Sequence, residues 1–232
     1  MQHYIGFDPD LHQPSLALVG EDGAVRAVWC LRHKKRLKGR AAVVACSAFV
    51  AEFFSETLMP LYDGTLEIAA FAVESQEVYR GAGQDADTKD PRALMFLAAV
   101  SGVVLGLGHV IWPKAAILFP APAEWKGNVP KEVHHARLME EQKWQYKVMG
   151  AASKAKKNSR YCSPDPESVK HLIGVEDLNA GDWKHVCDAI GLAMFARKAH
   201  STGLIRKAAA NAFRQDQAQK GRAEAKSRKE QG

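Results

Sequence analysis

Two short apolar runs in this chain each end on a carboxylate: Tyr-Ile-Gly-Phe runs into Asp8, and Ile-Ala-Ala-Phe-Ala-Val into Glu74. An unbroken apolar run bounded by polar residues suits a strand buried on both faces, and a sheet covered by helices on each side buries such a strand. The sequence around the two runs agrees. Strands are expected at residues 3–8, 15–19 and 24–31, with Glu21-Asp22-Gly23 as the tight turn of a hairpin. A helix follows at about 39–59, stopped by Pro60, then the strand 66–74, a helix from Pro91, and a strand at 115–119. Helices are expected at about 130–149, 165–173 and 182–200, the last with Asp182 as its N-cap. Three strands followed by alternating helices and strands make an α/β fold with a mixed five-stranded sheet flanked by helices.

Residues 93–112 hold no Asp, Glu, Lys or Arg, which is the length of a membrane span. Gly102, Gly106, Gly108, Ser101 and His109 interrupt that stretch, so it reads instead as a buried helix ending near Leu107 with Gly108 as its C-cap. No membrane partner is therefore expected. The four cysteines form no CxxC pair and no zinc-ligand spacing. They read as free thiols in a reducing cytoplasm, and the first apolar stretch lacks the form of a secretion signal.

The net charge is +6, and most of the excess lies beyond Ser201, where eight Lys and Arg face three acids. Residues 1–200 thus read as one domain and 201–232 as a basic, mobile tail. Further basic clusters occupy residues 32–40 and 154–160, a distribution that attracts polyanions through counterion release.

His185 and Asp188 stand three residues apart in a helical segment, so they share a helix face. Together with Asp8 and Glu74 at strand ends, they form a donor set of three carboxylates and one imidazole. Mg²⁺ favours oxygen ligands, and two such ions roughly 4 Å apart can clamp both oxygens of an in-line phosphoryl displacement. Each residue alone has a plainer role: Asp8-Pro9 as a turn, Glu74 as a strand-end charge, His185 as a satisfied partly buried histidine, Asp188 as the partner of Lys184. Their joint occurrence in this order favours the metal site.

At these residues the chain resembles a known family. Tyr4-Ile-Gly-Phe-Asp8-Pro9, the strand ending Val73-Glu74, and His185-Val-Cys-Asp188-Ala189 look like the active-site motifs of RuvC-type Holliday junction resolvases, which have the RNase H-like fold. The resemblance spans roughly residues 3–200. It implies a homodimer that binds branched DNA, especially four-way junctions, and makes paired symmetric nicks with 5′-phosphate ends. It implies Mg²⁺ or Mn²⁺, two ions per site, held by Asp8, Glu74, His185 and Asp188. Lys126 and Lys131 match the family's phosphate-contacting lysines, and Tyr79 its base-stacking aromatic. The stretch 140–166 is longer and more basic than the family pattern, and the tail after His200 is additional; both suit a phage or plasmid branch. Lys154, Lys156 and Lys157 in that stretch are expected to meet backbone phosphate.

Two other classes compete. A binding protein of the same fold without catalysis would lack one of the four ligands, and none is missing. A sugar-kinase-like or actin-like ATPase needs a glycine-rich phosphate loop after the first aspartate, where this chain has Pro9-Asp10-Leu11-His12-Gln13-Pro14.

Overall fold

β1 (His3–Asp8) lies at the centre of the sheet because every residue after His3 in it is buried. It pairs antiparallel with β2 (Ser15–Gly20), which pairs antiparallel with β3 (Val25–Cys30) through the expected turn at Gly23, φ 86°. On its other edge β1 pairs parallel with β4 (Ile68–Val73), and β4 with β5 (Ala116–Leu118). The order is β3-β2-β1-β4-β5, with β2 alone running against the rest. This is the mixed five-stranded sheet flanked by helices that the sequence leads one to expect. The computed structural model describes residues 1–10, 13–32, 39–61, 65–75, 91–127, 129–150 and 160–204.

Alternation along the strands splits the core into two layers. Ile5, Phe7, Leu16, Leu18, Phe71 and Val73 face one layer, packed with Cys46, Val50, Phe53, Phe54, Leu58, Val100 and Val104 from the helices α1 (Gly39–Glu52) and α3 (Pro91–Ile111) and the turn that extends α1. Ala17, Val19 and Val28 face the other, against Leu138, Met139, Val186, Ile190 and Ala193 of α5 (Lys131–Glu141) and α7 (Trp183–Ser201). Residue 6 points into this second layer. A methyl group there would fall on the Ala189 carbonyl and the Ala193 amide, and 2.9 Å from the Leu192 Cβ. Glycine at position 6 therefore lets α7 cross directly over β1. The compact unit is Met1–Arg197, and Lys198–Gly232 forms a separate one.

Several expectations are corrected. Pro60 does not stop the first helix: α1 widens into a π-helical turn, Phe53–Leu58, and continues as α2 (Met59–Leu61). The Met59 N–H bonds to the Phe54 carbonyl five residues back, and this wider register eases the clash of the Pro60 ring with the preceding turn. α3 does not end near Leu107 but runs to Ile111. Gly108 serves packing instead of capping, because a Cβ there would sit 3.1 Å from the Phe71 ring.

The helix expected over 130–149 stops at Glu141. Lys143 takes a left-handed conformation, φ 57°, with Lys143 N–H bonding to Glu140 and Trp144 N–H to Met139. That is a Schellman stop built without glycine. The chain then forms β6 (Tyr146–Met149), paired antiparallel with β7 (Tyr161–Pro164). The helix expected over 165–173 is only α6 (Pro166–Val169), because Ile173 bridges to Ala27 beside β3 and Gly174 turns at φ 82°. Asp182 precedes α7 as expected, but its carboxylate accepts the Asn179 N–H (2.7 Å) and pairs with Arg32.

By length and composition Gly39–Leu58 could cross a membrane. Here it carries Ala42, Cys46, Val50, Phe53, Phe54 and Leu58 into the core, as a sheet-covering helix does.

Candidate active site

The register of the parallel strands places the two carboxylates side by side. Phe7 is the partner of Val73, and the Glu74 N–H bonds to the Phe7 carbonyl at 3.3 Å, so Asp8 and Glu74 leave adjacent strands at the same level. Phe7 and Val73 face the α1–α3 layer, so alternation turns Asp8 and Glu74 towards α5 and α7. Both leave the strands at their carboxyl ends, where α/β sheets commonly place ligands.

α7 brings the next two residues. His185 Nδ1 lies 3.0 Å from Asp8 Oδ2. A carboxylate only accepts, so Nδ1 is the donor, the arrangement in which a carboxylate orients a histidine ligand. Asp188, one turn on and 6% exposed, is held from α5. Lys131 pairs with its Oδ2, and His135 Nε2 approaches its Oδ1 at 3.1 Å. Asp188 thus pairs with Lys131, in place of Lys184. His135 is fully buried, its Nδ1 has no hydrogen-bond partner among the described residues, and Nε2 must be the donor. From α4 (Pro122–Trp125) the chain continues to Lys126, whose Nζ is 4.0 Å from Glu74 Oε1 and 4.9 Å from the Trp125 ring centre. A Cβ at Gly191 of α7 would meet Trp125 at 2.5 Å and His134 at 2.6 Å, so this glycine seats α4 and α5 against α7.

The electrostatics follow from this crowding. Burial and the neighbouring Asp8 charge push Glu74 up to about 7, with Asp188 adding to the rise and Lys126 opposing it. Burial alone would raise Asp188 too, but the His135 hydrogen bond and the Lys131 charge hold it well below the usual carboxylate range. Burial lowers the Lys131 ammonium, and Asp188 and Asp8 more than restore it. Burial also pushes His135 down and takes His134 to about 4.

The sign for Glu74 is that of an acid whose folded pKa is raised. Its protonated form stabilises the fold fully below about 4.5, and that contribution is lost as pH rises through about 7. Glu74→Gln is therefore expected to stabilise the metal-free protein at pH 8 by on the order of 1–3 kcal/mol, with little effect near pH 4.5. Denaturant unfolding at the two pH values checks this, and a less stable variant at pH 8 would contradict the crowding.

The donor types suit a hard divalent cation, and Asp8 and Glu74 repel each other as ligands awaiting one do. Yet among the described residues no three His, Cys, Asp or Glu side chains stand close enough to hold an ion, and both Asp188 oxygens are engaged. Asp8, Glu74, His185, Asp188, Lys126 and Lys131 thus converge, while Tyr79, Lys154, Lys156 and Lys157 lie outside the described residues. His135 was not among the expected site residues. Its four-residue spacing from Lys131 is the one signal that could have marked it.

No family model matches the chain, and no curated protein matches it. Two of the solved structures similar to it are of RuvC. One is T. thermophilus RuvC in complex with a Holliday junction substrate: 15% identity, 88% of this chain and 97% of that one covered, TM-score 0.47. The other is a Thermus thermophilus RuvC structure: 15% identity, 87% and 96% covered, TM-score 0.48.

Proposed function

We propose that the chain is a divalent-metal-dependent endodeoxyribonuclease that resolves four-way DNA junctions by paired, symmetric nicks. The observation that carries this reading is the meeting of Asp8 and Glu74 at the ends of parallel strands, with His185 of α7 bonded to Asp8. A cation held there would polarise a phosphate oxygen and supply an activated water, which is the chemistry of phosphodiester hydrolysis. Asp8 and Glu74 offer the oxygens, and His185 offers Nε2 while Asp8 fixes its ring. Asp188 completes the set on the helix side.

Two lysines reach the same place, as phosphate binding requires. Lys131 opens α5, where helix N–H groups and the helix dipole favour an anion, and Lys126 lies just before it. In the same proposal Tyr79 stacks on bases, Lys154, Lys156 and Lys157 hold an arm of the junction between β6 and β7, and the basic tail adds non-specific affinity. The dimer belongs to it as well. Met95, Val103 and Val110 form an exposed apolar row on α3 that a second copy would cover.

A second reading, a branched-DNA-binding protein of this fold without cleavage, is favoured by the engagement of both Asp188 oxygens. A nicking assay on four-way junction, flap and linear duplex, with Mg²⁺ added or withheld, separates the two. The first reading expects Mg²⁺-dependent paired nicks in the junction and little cutting of duplex. Tight junction binding without nicks at any Mg²⁺ or Mn²⁺ concentration would support the second.

A further inference from the structure

Asp188 has two neighbours of different character, both sent from one face of α5. His135 on Oδ1 is fully buried and packed in place. Lys131 on Oδ2 is a charge on a flexible four-carbon arm, and its side chain keeps 24% of its exposure. The histidine is built to stay and the lysine can leave.

A buried carboxylate needs a positive partner, and without another ion the ammonium fills that need. An ammonium and a divalent cation cannot share one carboxylate edge, because two positive charges about 4 Å apart in a poorly solvated site repel strongly. His135 carries no such conflict, since it is fully buried and its ring N–H orients a ligating carboxylate from behind.

Building on the nuclease reading, we infer that Lys131 is the resident occupant of the cation position at Asp188, that a divalent ion binds there by displacing it, and that His135 remains as the positioning residue. Metal entry then frees an ammonium at the N-terminus of α5, where a backbone phosphate is best received. Cation and DNA thus reinforce each other through the released ammonium, beyond any contact of the cation with the scissile phosphate. The same exchange explains why the four donors converge while no ready-made ion site exists among the described residues.

The test is Mn²⁺ binding to the full chain without DNA, followed by electron paramagnetic resonance, for wild type, Lys131→Met and Asp8→Asn. Removing the competitor should tighten Mn²⁺ binding about tenfold or more in Lys131→Met, because binding no longer includes displacement. Equal or weaker binding by a folded Lys131→Met overturns the inference. A second measurement needs no variant: acetylation of Lys131 in the wild type, read by mass spectrometry, should speed up several-fold when Mg²⁺ is added. An unchanged rate at saturating Mg²⁺ also overturns it. If Asp8→Asn binds Mn²⁺ as well as wild type, the nuclease reading itself fails. If only Asp8→Asn is impaired and Lys131→Met gains nothing, this inference falls and the nuclease reading stands.

Discussion

Asp188→Asn is expected to lower the nicking of a four-way junction by roughly 10²–10³-fold or more while junction binding stays at least as tight. The two effects separate because they draw on different groups. In the proposed reaction cleavage would need the carboxylate charge beside Asp8 and Glu74, whereas binding would draw on cations such as Lys126 and Lys131. Removing one negative charge from a surface proposed to meet phosphate would only help the second. The substitution also breaks a buried ion pair with Lys131, a change that typically costs about 3–5 kcal/mol. The amide oxygen still serves His135, which moderates that loss. Thermal unfolding of the variant should therefore be measured beside its activity, and both assays run where the protein is folded. Asp8→Asn, which has no lysine bonded to it among the described residues, should lose cleavage with a smaller loss of stability. Nicking by Asp188→Asn at the wild-type rate would remove Asp188 from the site.

Gly6→Ala carries the largest expected effect on stability. The added methyl group meets main-chain atoms of α7, the Ala189 carbonyl and the Ala193 amide, and backbone within a helix has no rotamer with which to yield. Either α7 lifts off β1 or the strand bows, and the core on both sides loses contact. A loss of about 3–5 kcal/mol is expected, which for a chain of this size lowers the melting temperature by roughly 10 °C. The effect on the site is more specific than the loss of stability. Asp8 sits on β1 two residues beyond Gly6, and His185 on α7 one turn before Ala189, so their 3.0 Å contact depends on this close approach. Cleavage should fall even at temperatures where the variant is folded. A melting temperature within 2 °C of wild type would mean that α7 does not cross β1 as described.

Much of this arrangement was legible in the residues because apolar runs and terminal charges are local signals. The runs into Asp8 and Glu74 marked the central strands, and their carboxylates marked the strand ends. The spacing of His185 and Asp188 put them on one helix face. Other features depended on contacts that no local pattern encodes. The stop at Lys143 places a lysine where glycine is usual, so the helix pattern ran on through Tyr146–Met149, which pairs instead with Tyr161–Pro164. Gly108 looked like a cap because the sequence does not reveal the Phe71 ring beneath it. Lys184 stands four residues from Asp188, the spacing of a helical pair, but α5 delivers Lys131 and His135 from 57 and 53 residues away. A short-range reading has no access to either contact.

The claim on which the rest depends is that side chains from β1, β4 and α7 gather to hold a divalent cation. A Mn²⁺ titration of the metal-free protein, wild type against Asp8→Asn and Glu74→Gln, measures this most directly. The account predicts saturable binding to the wild type, weakened about tenfold or more by either substitution, since each removes a ligand charge. Binding of equal strength in all three proteins, or none in the wild type, would contradict it.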